Sequence, residues 1–100
     1  MSSRPTNRRV LISARDIGEN LTNWRKLLNL TAEQVADRAG IARSTLYKIE
    51  NGDPGVSFKA VLSVAKGLGI LDSFVKAADP YETDLGRLRI DQTLPKRVRR

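Results

Sequence analysis

The sequence predicts an all-α fold: five short helices between a flexible basic N-terminal arm and a flexible C-terminal tail. Three observations predict it. Apolar residues recur at spacings of three and four rather than in alternation, which is the period of a helix face. Thr31 and Gln34 head one such stretch in the pattern of a capping box. Gly40 stands just past another, where a helix closes through a left-handed residue.

The arm is residues 1–15, with Ser2, Ser3, Pro5 and the arginines Arg4, Arg8, Arg9 and Arg15, although its "RRVLIS" stretch could instead pair as a strand. The first helix is expected to start near Asp16. Ile17, Leu21, Trp24 and Leu28 then share one face, which makes Trp24 a core anchor rather than a platform for a ligand. Asn29 ends it. The second helix is capped by Thr31, with Leu30 and Val35 placed to form the hydrophobic staple. Its buried face is Val35, Ala36 and Ala39, and Ala36 is small where a neighbour must come close.

Gly40 turns the chain, and a third helix follows Ala42. Leu46 and Ile49, with Ile41 in the turn, lock it to the second. Its other side carries Arg43, Ser44, Tyr47 and Lys48, with Thr45 beside them. "ENGDPG" is a turn. Ser57 caps a fourth helix, with Phe58, Val61, Leu62, Ala65 and Leu68 as its stripe. "ILDSFVKAA" reads as a short fifth helix with Leu71, Phe74 and Val75 on one side, broken by Asp79-Pro80. Residues 81–100 have few large apolar residues and no sustained period, and are expected to be a tail. The folded domain is thus residues 16–78, small for a stable monomer. Dimerisation through the fifth helix, the tail or an N-terminal strand would add buried surface.

Composition bounds the chemistry. There is no cysteine and no histidine, which excludes disulfides, thiolate catalysis, Cys/His zinc sites and imidazole bases. No metal or other cofactor is expected. Carboxylates are present but nothing clusters them, so an enzyme is not expected. No apolar run approaches the roughly 20 residues that span a bilayer, and the basic N-terminus lacks a signal peptide's apolar region, so a cytoplasmic protein is expected. The net charge of +7 divides as +4 in residues 1–15, +1 in residues 16–78 and +2 in residues 79–100. A nearly neutral body with basic ends suits an anionic partner, nucleic acid first.

Two short helices joined by a glycine turn, the second polar outward, form a helix-turn-helix pattern. The second helix of such a pair enters the major groove of DNA while the first lies across the backbone. Arg43 is long enough to bond guanine O6 and N7 together, Ser44 donates or accepts, the Thr45 methyl suits a thymine methyl, and Lys48 lies one turn beyond Ser44. An ordinary helical bundle could also leave its third helix solvated. Ala36, Gly40, Leu46 and Ile49 at their mutual spacings, with the basic charge, favour the DNA reading.

The stretch "LTAEQVADRAGIARSTLYKIENGDPGVSFKAVLSVAKGLG", residues 30–69, resembles the five-helix, lambda-repressor-like domain of Cro/C1-type (XRE-family) regulators. With the first helix, the resemblance covers residues 17–78. It implies a sequence-specific transcriptional repressor that binds a palindromic double-stranded DNA operator as a homodimer. By position it implies that Arg43, Ser44, Thr45 and Lys48 read bases. Thr31, Ala32, Tyr47, Asn51 and Ser57 stand at positions that meet phosphates, the first two at a helix N-terminus. It pairs Arg25 with Glu50 as an internal ion pair. Two departures stand out: Ala32 replaces a frequent Gln, and Ala42 a frequent Ser or Thr cap. Arg4, Arg8 and Arg9 are expected to reach DNA from the arm.

The segment "ADPYETDLGRLRIDQTLPKRVRR" resembles the tail of HipB-like antitoxins, which implies an autoregulating antitoxin with a HipA-like kinase toxin as partner. The alternatives are a stand-alone or phage-type repressor, and a protein-interaction module that has lost DNA binding.

Overall fold

The computed structural model describes residues 4–93. Its regular elements are helical, and no strand occurs among the described residues. The order is α1 (Arg8–Leu27), α2 (Ala32–Ala39), α3 (Arg43–Glu50), α4 (Phe58–Leu68), α5 (Leu71–Ala77), a 3-10 turn (Pro80–Glu82) and α6 (Asp84–Thr93). Ser2, Ser3 and the basic residues 95–100 lie outside the described residues.

The junctions are set by local hydrogen bonding. Asn29 takes the left-handed conformation at φ 59°, so that the Asn29 N–H reaches Lys26 O and the Leu30 N–H reaches Arg25 O, each at 3.0 Å. This double bond satisfies carbonyls that α1 would otherwise leave open. Gly40 does the same for α2 at φ 69°, with the Ile41 N–H on Ala36 O. Gly69 does so for α4 at φ 81°. Thr31 and Gln34 form a complete capping box, and Ser57 accepts from the Ala60 N–H. Ala42 starts α3 with no side-chain cap.

α2 packs on α4, α1 crosses α3, and α5 packs on α4. Their shared core is Leu21, Val35, Ala36, Leu46, Ile49, Ala60, Val64 and Leu68. The crossing of α1 over α3 is close. A Cβ on Gly18 would collide with the carbonyl oxygens of Ile49 and Glu50, and one on Gly52 would lie 2.6 Å from the Arg15 Cα. Gly18 therefore lets α1 lie on the backbone of the last turn of α3.

That crossing corrects three expectations for α1. The helix face turned to the body is Gly18, Leu21 and Arg25, not the stripe of Ile17, Trp24 and Leu28. Those three are 46%, 43% and 42% exposed, so Trp24 is not a core anchor. The helix also starts at Arg8, not near Asp16, so residues 8–15 form neither a flexible arm nor a strand. The Asn7 side chain accepts from the Arg9 N–H at 2.7 Å and caps the start, and Arg, Leu and Ala are good helix formers. On α4 the inward face is Ala60, Val64, Ala65 and Leu68, while Phe58, at the first turn, is 75% exposed. Val75 of α5 also points outward, and Phe74 is the residue that packs against the core.

The segment expected to be an unstructured tail is helical as far as Thr93. Asp79 caps the 3-10 turn through the Tyr81 N–H, and Pro80 begins it, a position where its missing N–H costs nothing. Thr83 Oγ1 then accepts from the Gly86 N–H and opens α6. A Cβ on Gly86 would collide with Pro80 O, so this glycine allows α6 to pack on the turn. Ile90 is buried. The folded region thus runs past residue 78 at one end and before residue 16 at the other.

Gly18→Ala tests the α1–α3 contact. Helix propensity favours alanine by about 1 kcal/mol. Overpacking against a backbone carbonyl costs about 1–3 kcal/mol. The variant should therefore be less stable than the parent in a urea melt, and a raised midpoint would show that α1 does not rest on α3.

Candidate nucleic-acid interface

α3 is amphipathic in the simplest way. Leu46 and Ile49 are 1% and 4% exposed, which fixes its roll about its own axis. Arg43, Ser44, Tyr47 and Lys48 are then exposed by necessity, and Thr45 is half-buried at the edge. Arg43 and Ser44 occupy the first turn, the end that meets base edges when such a helix enters a major groove.

The loop after α3 shapes one wall beside it. Asp53 Oδ1 accepts from the Gly55 N–H at 2.8 Å, and Gly52 takes φ 81°. The loop then returns to Ser57, so that Thr45, Lys48 and Ser57 line a single polar cleft with Asp53, Gly55 and Val56. Two candidate base readers and one candidate phosphate contact are thereby brought together. Asn51 ends α3 and donates through Nδ2 to Tyr47 O at 2.8 Å. An amide carries two N–H groups, so the second stays available to an anion. Tyr47 is 69% exposed.

At the start of α2, the Thr31 hydroxyl accepts from the Gln34 N–H at 3.1 Å, and Gln34 Oε1 accepts from the Thr31 N–H at 2.9 Å. The N–H groups of Ala32 and Glu33 belong to the first turn, which has no intrahelical partners to offer them. With the positive end of the helix dipole they make an anion site that needs no side chain at Ala32.

Arg25 and Glu50 tie these pieces together. Arg25 Nε donates to Glu50 Oε2 at 2.8 Å and Nη2 to Oε1 at 3.1 Å, a two-pronged ion pair. Arg25 Nη1 also donates to Leu30 O at 3.3 Å. One guanidinium thus links the end of α1, the residue before the α2 cap, and the end of α3. The side chains are only 17% and 13% exposed. The hydrogen bonds to Glu50, against an opposing desolvation cost, raise the Arg25 pKa above its ordinary value.

Not every candidate joins this surface. Arg8 and Arg9 lie in the first turn of α1, at the other end of the helix from its junction with Thr31, roughly 20 Å or more away at 1.5 Å per residue. Arg4 precedes the helix. Sequence reasoning missed the polar side of α1, where Arg15, Glu19, Thr22, Asn23 and Lys26 share an open cleft with Glu50 and Asn51. The signal was present as Arg8, Arg15, Thr22 and Lys26 at spacings of seven, seven and four, one face of a long helix.

A helix-turn-helix family model matches residues 21–72, from the middle of α1 into α5. The chain belongs to the Cro/C1-type helix-turn-helix family. It is 38% identical over 66 residues to the uncharacterized HTH-type transcriptional regulator MJ0272 of Methanocaldococcus jannaschii, covering 64% of this chain and 92% of that protein. It is 33% identical over 72 residues to the cryptic phage CTXphi transcriptional repressor RstR of Vibrio cholerae, covering 72% of this chain and 53% of RstR, so it spans about half the length of that relative. As a Cro/C1-type protein it is a DNA-binding transcriptional regulator, and α2 and α3 are its helix-turn-helix. No helix among its described residues is long and apolar enough to cross a membrane.

In this regulator Glu50→Gln should leave Arg25 without its counter-charge. Breaking one partner of a buried pair costs about 3–5 kcal/mol. A chemical melt of the variant should show that loss, whereas a cost under about 1 kcal/mol would place the pair among solvent-screened surface bridges.

Proposed function

We propose that the chain is a sequence-specific repressor that binds a palindromic operator as a homodimer, one copy on each half-site. The observation that carries this reading is the roll of α3. Burial of Leu46 and Ile49 leaves Arg43, Ser44, Thr45 and Lys48 as the side chains available to base edges. Thr31, Ala32, Tyr47, Asn51 and Ser57 flank them as phosphate contacts. These fix register on the duplex, and the α3 side chains supply sequence preference. A homodimer follows from the geometry of reading, since one short helix reaches only a few base pairs and a two-fold operator doubles the contact. The reading assigns the chain no catalysis.

A second reading, within the first, makes this repressor an autoregulating antitoxin with a HipA-like kinase as partner. It is favoured by α6, which follows the five helices and carries Leu85 and Leu88 at 62% and 58% exposure. A short helix with two outward leucines suits an apolar protein surface. A kinase-like reading frame beside this one, and its co-purification with this chain, would support that role.

Arg43→Ala tests the DNA reading. A bidentate contact to guanine contributes about 1–3 kcal/mol of discrimination. The variant should therefore lose about ten- to hundred-fold in operator affinity, with relaxed preference at one base pair and little change on random DNA. Equal loss on operator and random DNA would mean that Arg43 meets only phosphate.

A further inference from the structure

α1 is longer than the domain needs. The family match begins at residue 21, while the helix begins at Arg8, so more than half of it lies outside the match. Residues 8–13 are all exposed. Among them Val10, Leu11 and Ile12 are consecutive, at 51%, 42% and 40% exposure. Successive helix residues point about 100° apart, so these three side chains leave the helix in different directions, between Arg8, Arg9 and Ser13. Exposed apolar residues grouped in this way mark a site of protein contact.

The rest of the helix supplies a matching surface. Val10, Ala14, Ile17, Leu21, Trp24 and Leu28 are spaced four, three, four, three and four, the pattern of a seam between paired helices. Leu21 is buried in the body, but Val10, Ile17, Trp24 and Leu28 stay 42–51% exposed. Ile17 and Trp24 form one wall of a groove whose other wall is Ile70, Phe74 and Ala77, with Leu21 on the floor. A second groove continues on the far side of Ile17 and Phe74 to the exposed ring of Phe58. Together these residues leave an uncovered apolar face along α1, the kind of surface that marks a protein–protein contact.

We propose that a second copy of this chain docks antiparallel along α1, with the two-fold axis at Ile17, so that Val10 of each copy covers the Trp24–Phe74 groove of the other. The spacing makes the seam self-complementary. Val10 and Trp24 lie seven residues to either side of Ile17, so rotation about Ile17 brings Val10 of one copy onto Trp24 of the other. An isologous contact requires such a match. The seam and the polar stripe of Arg15, Thr22 and Lys26 fall on opposite sides of the helix, so docking leaves Asn51 and its neighbours open to DNA.

This interface rests on the homodimer reading above and gives it a location. The chain has no cysteine, so introduced thiols report contacts without background. The full chain carrying Ile17→Cys should cross-link to itself under mild oxidation. Val10→Cys alone should not, whereas the Val10→Cys, Trp24→Cys double variant should, because a disulfide needs Cα atoms about 4.4–6.8 Å apart. Sedimentation of Val10→Glu and Ile17→Glu, with helix content checked by circular dichroism, should show dimer dissociation at least tenfold weaker than in the parent. Parent protein that stays monomeric without DNA but still shifts the operator overturns the interface and leaves the DNA reading standing. A dimer that persists in both glutamate variants, or cross-links through Val75→Cys or Leu88→Cys instead of Ile17→Cys, overturns it in favour of α5 or α6. A dimer with the expected cross-links but no operator shift supports the interface and removes the DNA reading.

Discussion

The crossing of α1 over the end of α3 is the constraint on which the reading surface depends. Two features hold it: the absence of a side chain at Gly18, and the Arg25–Glu50 ion pair one helix turn or two further on. The first allows α1 to touch the carbonyls of Ile49 and Glu50. The second joins the two helices where they would otherwise diverge, and extends to Leu30 O at the entrance to α2. A buried ion pair contributes little net stability, since desolvation of both charges offsets their attraction. Its value here is positional. It sets the end of α3 and the start of α2 in one frame, and both carry the candidate DNA contacts.

That frame is needed because α2 and α3 are eight residues each. Helices of that length are not stable alone in water, where about 12–15 residues are marginal. α2 compensates with a capping box, a glycine closure and Val35 and Ala36 buried against α4. α3 has a weaker start, since Ala42 supplies no cap, and relies on Leu46 and Ile49 and on the clamp at Glu50. α3 is thus anchored at its C-terminal end and lightly held at its N-terminal end, where Arg43 and Ser44 stand.

What was legible in the sequence was local. The Thr31–Gln34 box, the Gly40 closure, the Asn29 stop and the inward pair Leu46 and Ile49 each depend on residues within one or two turns, and each is read from a few letters. What was not legible depends on partners distant in sequence. Ile17, Trp24 and Leu28 have the spacing of a core face, and the periodicity is real. Periodicity does not say whether the apolar stripe meets the chain's own core or something else. Gly18 decides that, because it draws α1 onto α3 by a different face, and a lone glycine inside a helical pattern gives no sign of the carbonyls it will meet. The start at Arg8 was hidden by four dispersed arginines and by β-branched Val10 and Ile12, which suit a strand as well as a helix. α6 was hidden because Asp79-Pro80, read as a break, instead starts a 3-10 turn that leads into it, and Thr83 then caps its start.

α1 connects these observations. One side, through Gly18, Leu21 and Arg25, holds the helix-turn-helix. A second side, through Arg15, Thr22 and Lys26, borders Asn51 and extends the polar surface beyond the family-matched residues. A third carries Ile17 and Trp24 to solvent across from Phe74. A helix with three distinct faces is rigid over about 30 Å at 1.5 Å per residue, so the faces cannot adjust independently. Whatever covers the third face is therefore fixed in direction relative to α3. On the proposed two-fold operator, this rigid link would turn the choice of partner on α1 into a choice of spacing between the two copies of α3.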